Sequence, residues 1–157
     1  MKQRAGFTLI EIVVVVAIVG ILASVAMPLA SLVNQRSREA ELRIALRQIR
    51  TAIDAYKDAS DAGLIRKEVG STGFPPHLED LVQGVEDVTS PEHKRLYFLR
   101  RLPRDPLYPD STAPAASTWG LRSYASPPGE PMEGTDVYDV YSLSKKSGLN
   151  GVPYREW

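Results

Sequence analysis

A continuous apolar stretch near the start of the chain is its dominant pattern. Residues 7–33 read FTLIEIVVVVAIVGILASVAMPLASLV, and Glu11 is their only ionisable side chain. About 20 apolar residues suffice to cross a bilayer as a helix, so the pattern predicts a membrane-spanning helix. An ionisable group in mid-membrane costs roughly 2.5–3.5 kcal/mol, and by default it is functional and has a partner. Glu11 is therefore the first candidate functional residue.

Apolar positions recur with helical spacing over residues 37–58, which predicts the second half of a long N-terminal helix. We expect its apolar stripe to lie against a sheet and its charged side chains to face solvent. The stripe comprises Leu42, Ala45, Leu46, Ile49, Ala52, Ile53 and Tyr56, and the charged set comprises Arg43, Arg47, Arg50, Asp54 and Lys57.

The remainder alternates short elements with glycine- and proline-rich turns. A short helix is predicted at residues 77–82. A second is predicted from its N-cap at Ser90 through Leu99, with its end near Leu102 and Pro103. Residues 119–124 are one candidate strand and residues 137–143 a second, in which valine and tyrosine alternate. The predicted fold class is α+β, with the long helix packed on a small antiparallel sheet.

Composition is that of one small exported domain behind an anchor. The chain has 157 residues, and its 19 basic side chains balance 19 acidic ones. Loss of a leader containing Lys2 and Arg4 would leave 17 basic side chains against 19, a net charge of −2. Nothing in this balance indicates a polyanionic partner. The absence of cysteine excludes thiol chemistry and cysteine zinc sites.

A cut between Gly6 and Phe7 would supply the partner that Glu11 lacks. Phe7 would then carry a free amine about 6 Å of helix rise from the Glu11 carboxylate. Together with the basic Lys2 and Arg4, these residues resemble the class III signal of type IV pilins and type II secretion pseudopilins.

This resemblance implies a processing and assembly route. A prepilin peptidase would cut after Gly6 and methylate Phe7, and Glu11 would pair with the Phe7 amine of a neighbouring subunit. The pair would set the register, because a mis-stacked subunit leaves a buried charge unpaired. Residues 1–6 would be the leader, 7–33 the membrane and filament-core half of the helix, and 34–157 a periplasmic head.

Two further segments narrow the resemblance to the G-type major pseudopilins. Residues 102–106, Leu-Pro-Arg-Asp-Pro, are similar to their LPxDP segment, and residues 138–142 to their last strand. The resemblance implies a type IV pilin-like fold and a structural subunit of the pseudopilus that drives type II secretion. Its implied partners are copies of itself, other pseudopilins, the peptidase and the inner-membrane assembly platform.

Gly20 and Pro28 interrupt the apolar run. Proline removes a helical donor, and glycine weakens a helix by about 1 kcal/mol. One interpretation is a tolerated kink in the membrane. The resemblance favours another, in which the segment between them unwinds when the subunit enters the filament.

The loop after the last strand departs from the G-type pattern. Those proteins typically have an Asp- and Gly-rich calcium loop there, whereas residues 144–151 read SKKSGLNG. Two lysines oppose a cation that needs six to eight oxygen ligands, so we expect no metal or other cofactor. The alternative is a calcium site from Asp136, Asp139 and Asn150. Without it, packing of Val152, Tyr154 and Trp157 is expected to hold the loop.

Other functions stay open at this stage. An ordinary secretory signal has a shorter apolar core. A plain single-pass membrane anchor is a further alternative, in which Glu11 would lie at the membrane edge. A minor or atypical type IV pilin for adhesion, twitching or DNA uptake is the main alternative. Residues 94–101 interleave basic and aromatic side chains, but the chain is not basic overall, so nucleic acid is not expected. His77 and His93 form no catalytic or metal motif, and no enzyme activity is predicted.

Overall fold

A computed structural model describes residues 8–127 and 129–157, except for the side chains of Val25, Met27 and Pro28. It contains two α-helices, four short strands and two 3₁₀ turns. The elements are α1 (Leu9–Asp61), α2 (Asp80–Gln83), β1 (Val85–Glu86), β2 (Arg95–Leu96), the turn Ala116–Thr118, β3 (Trp119–Arg122), β4 (Asp139–Ser142) and the turn Tyr154–Glu156. The chain divides into two units, one ending at Ser37 and one from Arg38 to Trp157, which we call the head.

In the first unit, α1 is almost entirely apolar up to Val33, and Glu11 is the one ionisable side chain there. None of its most apolar 18-residue window is buried. Such a surface has no apolar partner within the described chain, as expected for a helix whose solvent is lipid. The predicted membrane-spanning helix is therefore long and apolar enough to cross a bilayer.

Within the head, α1 becomes one-sided. All seven residues of the predicted stripe are buried, with Leu42, Ile49 and Ile53 fully inaccessible. They share one core with α2, the strands and the last turn; the partners are Ile65, Leu78, Leu81, Trp119, Val137, Val140 and Tyr154. Full burial of a large aliphatic side chain contributes about 1.5–3 kcal/mol, so this stripe is the main source of stability in the head.

The two predicted C-terminal strands pair with each other. Strands β3 and β4 are antiparallel, with Trp119 opposite Ser142 and Arg122 opposite Asp139. Both are shorter than predicted, because residues 123–138 between them form a loop. Gly120 in β3 lets the Tyr141 ring lie close to the strand, since a Cβ there would be 2.3 Å from that ring and would force it to move. The α+β prediction is confirmed.

The predicted helix from Ser90 to Leu99 is wrong. This region instead completes a β-hairpin, in which β2 pairs with β1 and Leu96 lies opposite Val85. The amides of Phe98 and Leu99 donate to the Leu81 carbonyl of α2, at 3.0 and 2.8 Å. These bonds join residues far apart in sequence, and they satisfy the backbone in an extended conformation that local propensity does not favour.

Truncation of the buried stripe should destabilise the head. We expect Ile53→Ala to lower the free energy of unfolding by about 2–5 kcal/mol, because it removes buried methyl groups and leaves a cavity. Ile44→Ala is the matched control, since Ile44 lies on the same helix but is 48% exposed, against 0% for Ile53. Tryptophan fluorescence during denaturant unfolding of the detergent-solubilised chain measures both. Equal losses would contradict this assignment of the core.

Candidate assembly site and C-terminal loop

The start of α1 has a defined cap. Thr8 immediately precedes the helix, and its Oγ1 accepts a hydrogen bond from the Glu11 amide at 3.3 Å. The Thr8 carbonyl accepts from the Ile12 amide at 3.2 Å. Sequence reasoning missed Thr8, although Thr-x-x-Glu before an apolar run is a capping signature. The cap places Glu11 in the first helical turn.

The Glu11 carboxylate lies where the helix favours negative charge. Unpaired amides make the N-terminal turn partly positive, which stabilises a carboxylate there. Around it, Leu9, Ile10 and Ile12 are exposed. An acidic group ringed by exposed apolar side chains can recognise a cation that approaches from another chain or from the chain's own N-terminus.

The structure places only some of the predicted assembly residues. Gly6 and Phe7 lie outside the described residues. Gly20 and Pro28 both lie within the uninterrupted helix α1, and a Cβ on Gly20 would meet no atom within 4 Å. Unwinding between them in a filament stays a prediction, since the structure is of a single chain.

The C-terminal loop is fastened to α1 by a glutamate that sequence reasoning missed. One oxygen of Glu39, Oε1, accepts from the Leu149 amide at 2.8 Å and from the Tyr154 hydroxyl at 2.9 Å. Glu39 is 5% exposed. Its spacing before Leu42 and Leu46 places it on the apolar stripe, and that position was the available signal, because a carboxylate on a buried face needs donors.

Arg50 also attaches the C-terminal residues to α1, and it departs from the prediction that the charged side chains of α1 face solvent. Arg50 is half-buried, and its Nε donates to the Asp139 carboxylate at 2.7 Å. Its Nη2 donates to the Trp157 carbonyl at 2.7 Å and to the Val140 carbonyl at 3.2 Å. Arg43 stacks over the Trp157 ring at 4.2 Å. Lys57 is also partly buried and pairs with Asp61.

Of the three residues predicted to hold the C-terminal loop by packing, Tyr154 and Trp157 do so. Tyr154 is buried and its ring contacts Trp157 edge-on at 5.0 Å. The prediction for Val152 is wrong, since its side chain is exposed. The loop folds back on itself instead through backbone bonds, from Gly148 to Val152 and from Tyr154 to Lys146.

The three residues of the alternative calcium site have separate protein partners. Asp139 accepts from Arg50, and Asn150 Oδ1 accepts from the Val152 amide at 3.1 Å. Asp136 accepts from Thr72, Ser123 and the Tyr124 amide. Across residues 8–127 and 129–157, no group of three or more His, Cys, Asp or Glu side chains is arranged to hold a metal.

The Asp136 carboxylate closes the loop between β3 and β4. Burial alone would raise its pKa, but hydrogen bonds from Ser123, Thr72 and the Tyr124 amide outweigh burial and hold the pKa below its ordinary value of 3.8. The ionised carboxylate is thus the form that the folded head stabilises. This residue acts as a structural clamp.

Comparisons with known proteins identify a known motif at the start of the chain and relatives over most of its length. Residues 1–27 match the family model of the prokaryotic N-terminal methylation motif. The type II secretion system core protein G of Pseudomonas aeruginosa is 33% identical over 149 residues, which cover 90% of this chain and 84% of that protein. The core protein G of Klebsiella pneumoniae is 28% identical, with 98% and 90% covered.

A shorter similarity extends to pilins. The type IV major pilin protein PilA of Myxococcus xanthus is 41% identical over 59 residues, which cover 38% of this chain and 27% of that protein. No solved structure matches the chain.

Acid should weaken the Asp136 clamp. The folded pKa lies below the unfolded value, so its contribution is complete above the ordinary pKa and is lost as the pH falls through the folded pKa. We expect Asp136→Asn to cost about 1–3 kcal/mol at neutral pH and to flatten the acid limb of stability against pH. Asp54→Asn, at an exposed position on α1, should keep the wild-type profile. Urea unfolding across an acidic pH series measures this, and an unchanged acid limb in Asp136→Asn would refute the clamp.

Proposed function

Because this chain belongs to the family of the type II secretion system core protein G, we propose that it is a structural subunit of a secretion pseudopilus. Such a subunit is polymerised into a filament that drives protein export, and its role is mechanical, with no catalysis. The observation that carries this proposal is the capped apolar helix with Glu11 in its first turn, which lies within the residues that match the methylation motif.

Assembly begins, in this proposal, with processing at Gly6 and Phe7. The peptidase removes residues 1–6 and methylates the Phe7 amine, which stays cationic. Glu11 of one subunit then pairs with the Phe7 amine of a neighbour. The Thr8 cap supports this, because it holds Glu11 at the helix start, next to where a new N-terminus would lie. Gly20 and Pro28 would allow the helix to loosen between them in the filament.

The N-terminal helix anchors the subunit in the inner membrane, consistent with its apolar surface and the methylation motif. We further propose that the head faces the periplasm. The partners of the subunit would be other copies, further pseudopilins, the prepilin peptidase and the assembly platform.

A type IV pilin for adhesion, twitching or DNA uptake is the second candidate. Its support is the similarity to PilA, which covers 38% of this chain. The similarity to the core protein G of Pseudomonas aeruginosa covers 90% and includes the head. The secretion pseudopilus is therefore the better-supported function.

Glu11→Ala should separate processing from assembly. Intact mass should show the variant, like the wild type, beginning at N-methylated Phe7, while filament yield falls more than about tenfold, because breaking a buried ion pair leaves one charge uncompensated. Glu11→Asp keeps the charge and should retain part of the yield. Normal filaments from Glu11→Ala would exclude the register role, and a wild-type chain still beginning at Met1 would exclude the processing itself.

We also propose that the head needs no calcium. Instead of a calcium ion, the side chains of Glu39 and Arg50 hold the C-terminal loop and the last residues through hydrogen bonds. The carboxylate of Asp139 is already paired with a guanidinium. Lys145 and Lys146 would repel a cation at the loop.

Calcium should therefore leave the stability of the head unchanged. We expect equal melting temperatures for the detergent-solubilised chain in calcium, in magnesium at the same ionic strength, and in chelator. A bound ion would instead stabilise the fold by about 2.7 kcal/mol at a concentration one hundred times its Kd. A saturable rise with calcium that magnesium does not reproduce would overturn the proposal.

A further inference from the structure

The segment from Ser144 to Arg155, which we call the basic loop, has an unbalanced charge. It carries Lys145, Lys146 and Arg155, and the acidic residue nearest to it in sequence is Glu156, which directly follows it. All three side chains are exposed. In the described part of the chain, no carboxylate lies within salt-bridge distance of any of them. These cations are thus available to a partner outside the molecule.

Apolar side chains accompany the lysines on the surface. Leu143 is 44% exposed, Leu149 43% and Val152 37%. Neighbouring cations and aliphatic groups suit a membrane interface, where apolar side chains enter the headgroup region and lysine extends its ammonium group towards the phosphates.

The basic loop is also tethered close in sequence to the membrane segment. Its Leu149 amide and Tyr154 hydroxyl are both held by Glu39. In the sequence, Glu39 follows Val33, the last residue of the apolar run, by six positions. Basic residues that lie close in sequence to a membrane segment are attracted to anionic lipid surfaces.

The loop presents its lysines from an ordered backbone. Ser147 forms an isolated antiparallel bridge with Pro153, and Tyr154 donates to the Lys146 carbonyl at 3.1 Å. Little conformational entropy would therefore be lost when the loop binds a surface.

We propose that the basic loop docks on anionic phospholipid headgroups at the membrane surface where α1 emerges, and so holds the head against the membrane before the subunit enters a filament. The inference rests on the proposed role as a membrane-anchored subunit. Charge complementarity favours lipid phosphate, and each basic residue near such a surface contributes about fivefold to the binding equilibrium.

The test uses the full chain reconstituted in vesicles of phosphatidylcholine, with or without phosphatidylglycerol. Since the chain has no cysteine, Ser147→Cys gives a single labelling site on the basic loop, and Val88→Cys gives a reference on the hairpin turn. Quenching of the attached fluorophore by headgroup-linked nitroxide lipids reports its proximity to the membrane. The charge variant is K145Q/K146Q, and K67Q/K94Q removes the same charge elsewhere.

We expect stronger quenching at position 147 than at position 88, and a further increase with phosphatidylglycerol. K145Q/K146Q or high salt should reduce this phosphatidylglycerol-dependent increase in quenching several-fold, whereas K67Q/K94Q should leave it unchanged.

Quenching at position 147 that depends neither on phosphatidylglycerol nor on K145Q/K146Q would overturn the proposal. The proposal would also be overturned if K145Q/K146Q lost filament incorporation while its quenching stayed unchanged. That result would indicate that the loop contacts another protein. Co-flotation of the chain with vesicles depends on the membrane helix and not on the basic loop. If no variant floated, the proposed membrane anchoring itself would be refuted.

Discussion

The buried stripe of α1, from Leu42 to Tyr56, is the surface on which the rest of the head is assembled. The strands contribute only two to four residues each, and two-stranded sheets of that size are marginal by themselves. They become stable because Trp119, Val137 and Val140 bury their side chains in the same core as the stripe. One helix therefore has two kinds of surface: an exposed apolar surface in its first part, and a second part with one side buried in the protein core.

Polar side chains then determine how the irregular segments attach to this core. Glu39 and Arg50 on α1 bind the C-terminal loop and the last residues, while Asp136 binds the loop between β3 and β4. Each carboxylate accepts two or three hydrogen bonds, which compensates for the loss of its hydration. A loop held in this way has its backbone donors satisfied by protein groups, which is the physical basis for proposing that it closes without a metal ion.

Prediction from sequence succeeded where the signal was local and repeated. The stripe on α1, the short helix before Gly84 and the strands around Trp119 and Val140 all follow from periodicity over neighbouring residues. It failed at residues 90–99, where Ser90 and Pro91 suggested a helix start. There the pairing of Leu96 with Val85 and the bonds from Phe98 and Leu99 to Leu81 outweigh a weak local preference, because they also bury apolar side chains.

The apolar helix, the single carboxylate within it, the motif around Gly6 and Phe7, and the α+β class can all be read from the sequence, because each depends on composition or on short-range spacing. Only the tertiary structure decided that Glu39 and Arg50 hold the C-terminal loop, that Asp136 and Asp139 have separate partners, and that the lysines of the basic loop have none in the described chain. These facts depend on contacts between residues about 13 to 115 positions apart. Such contacts arise only once the chain has folded and brought distant donors and acceptors within bonding distance.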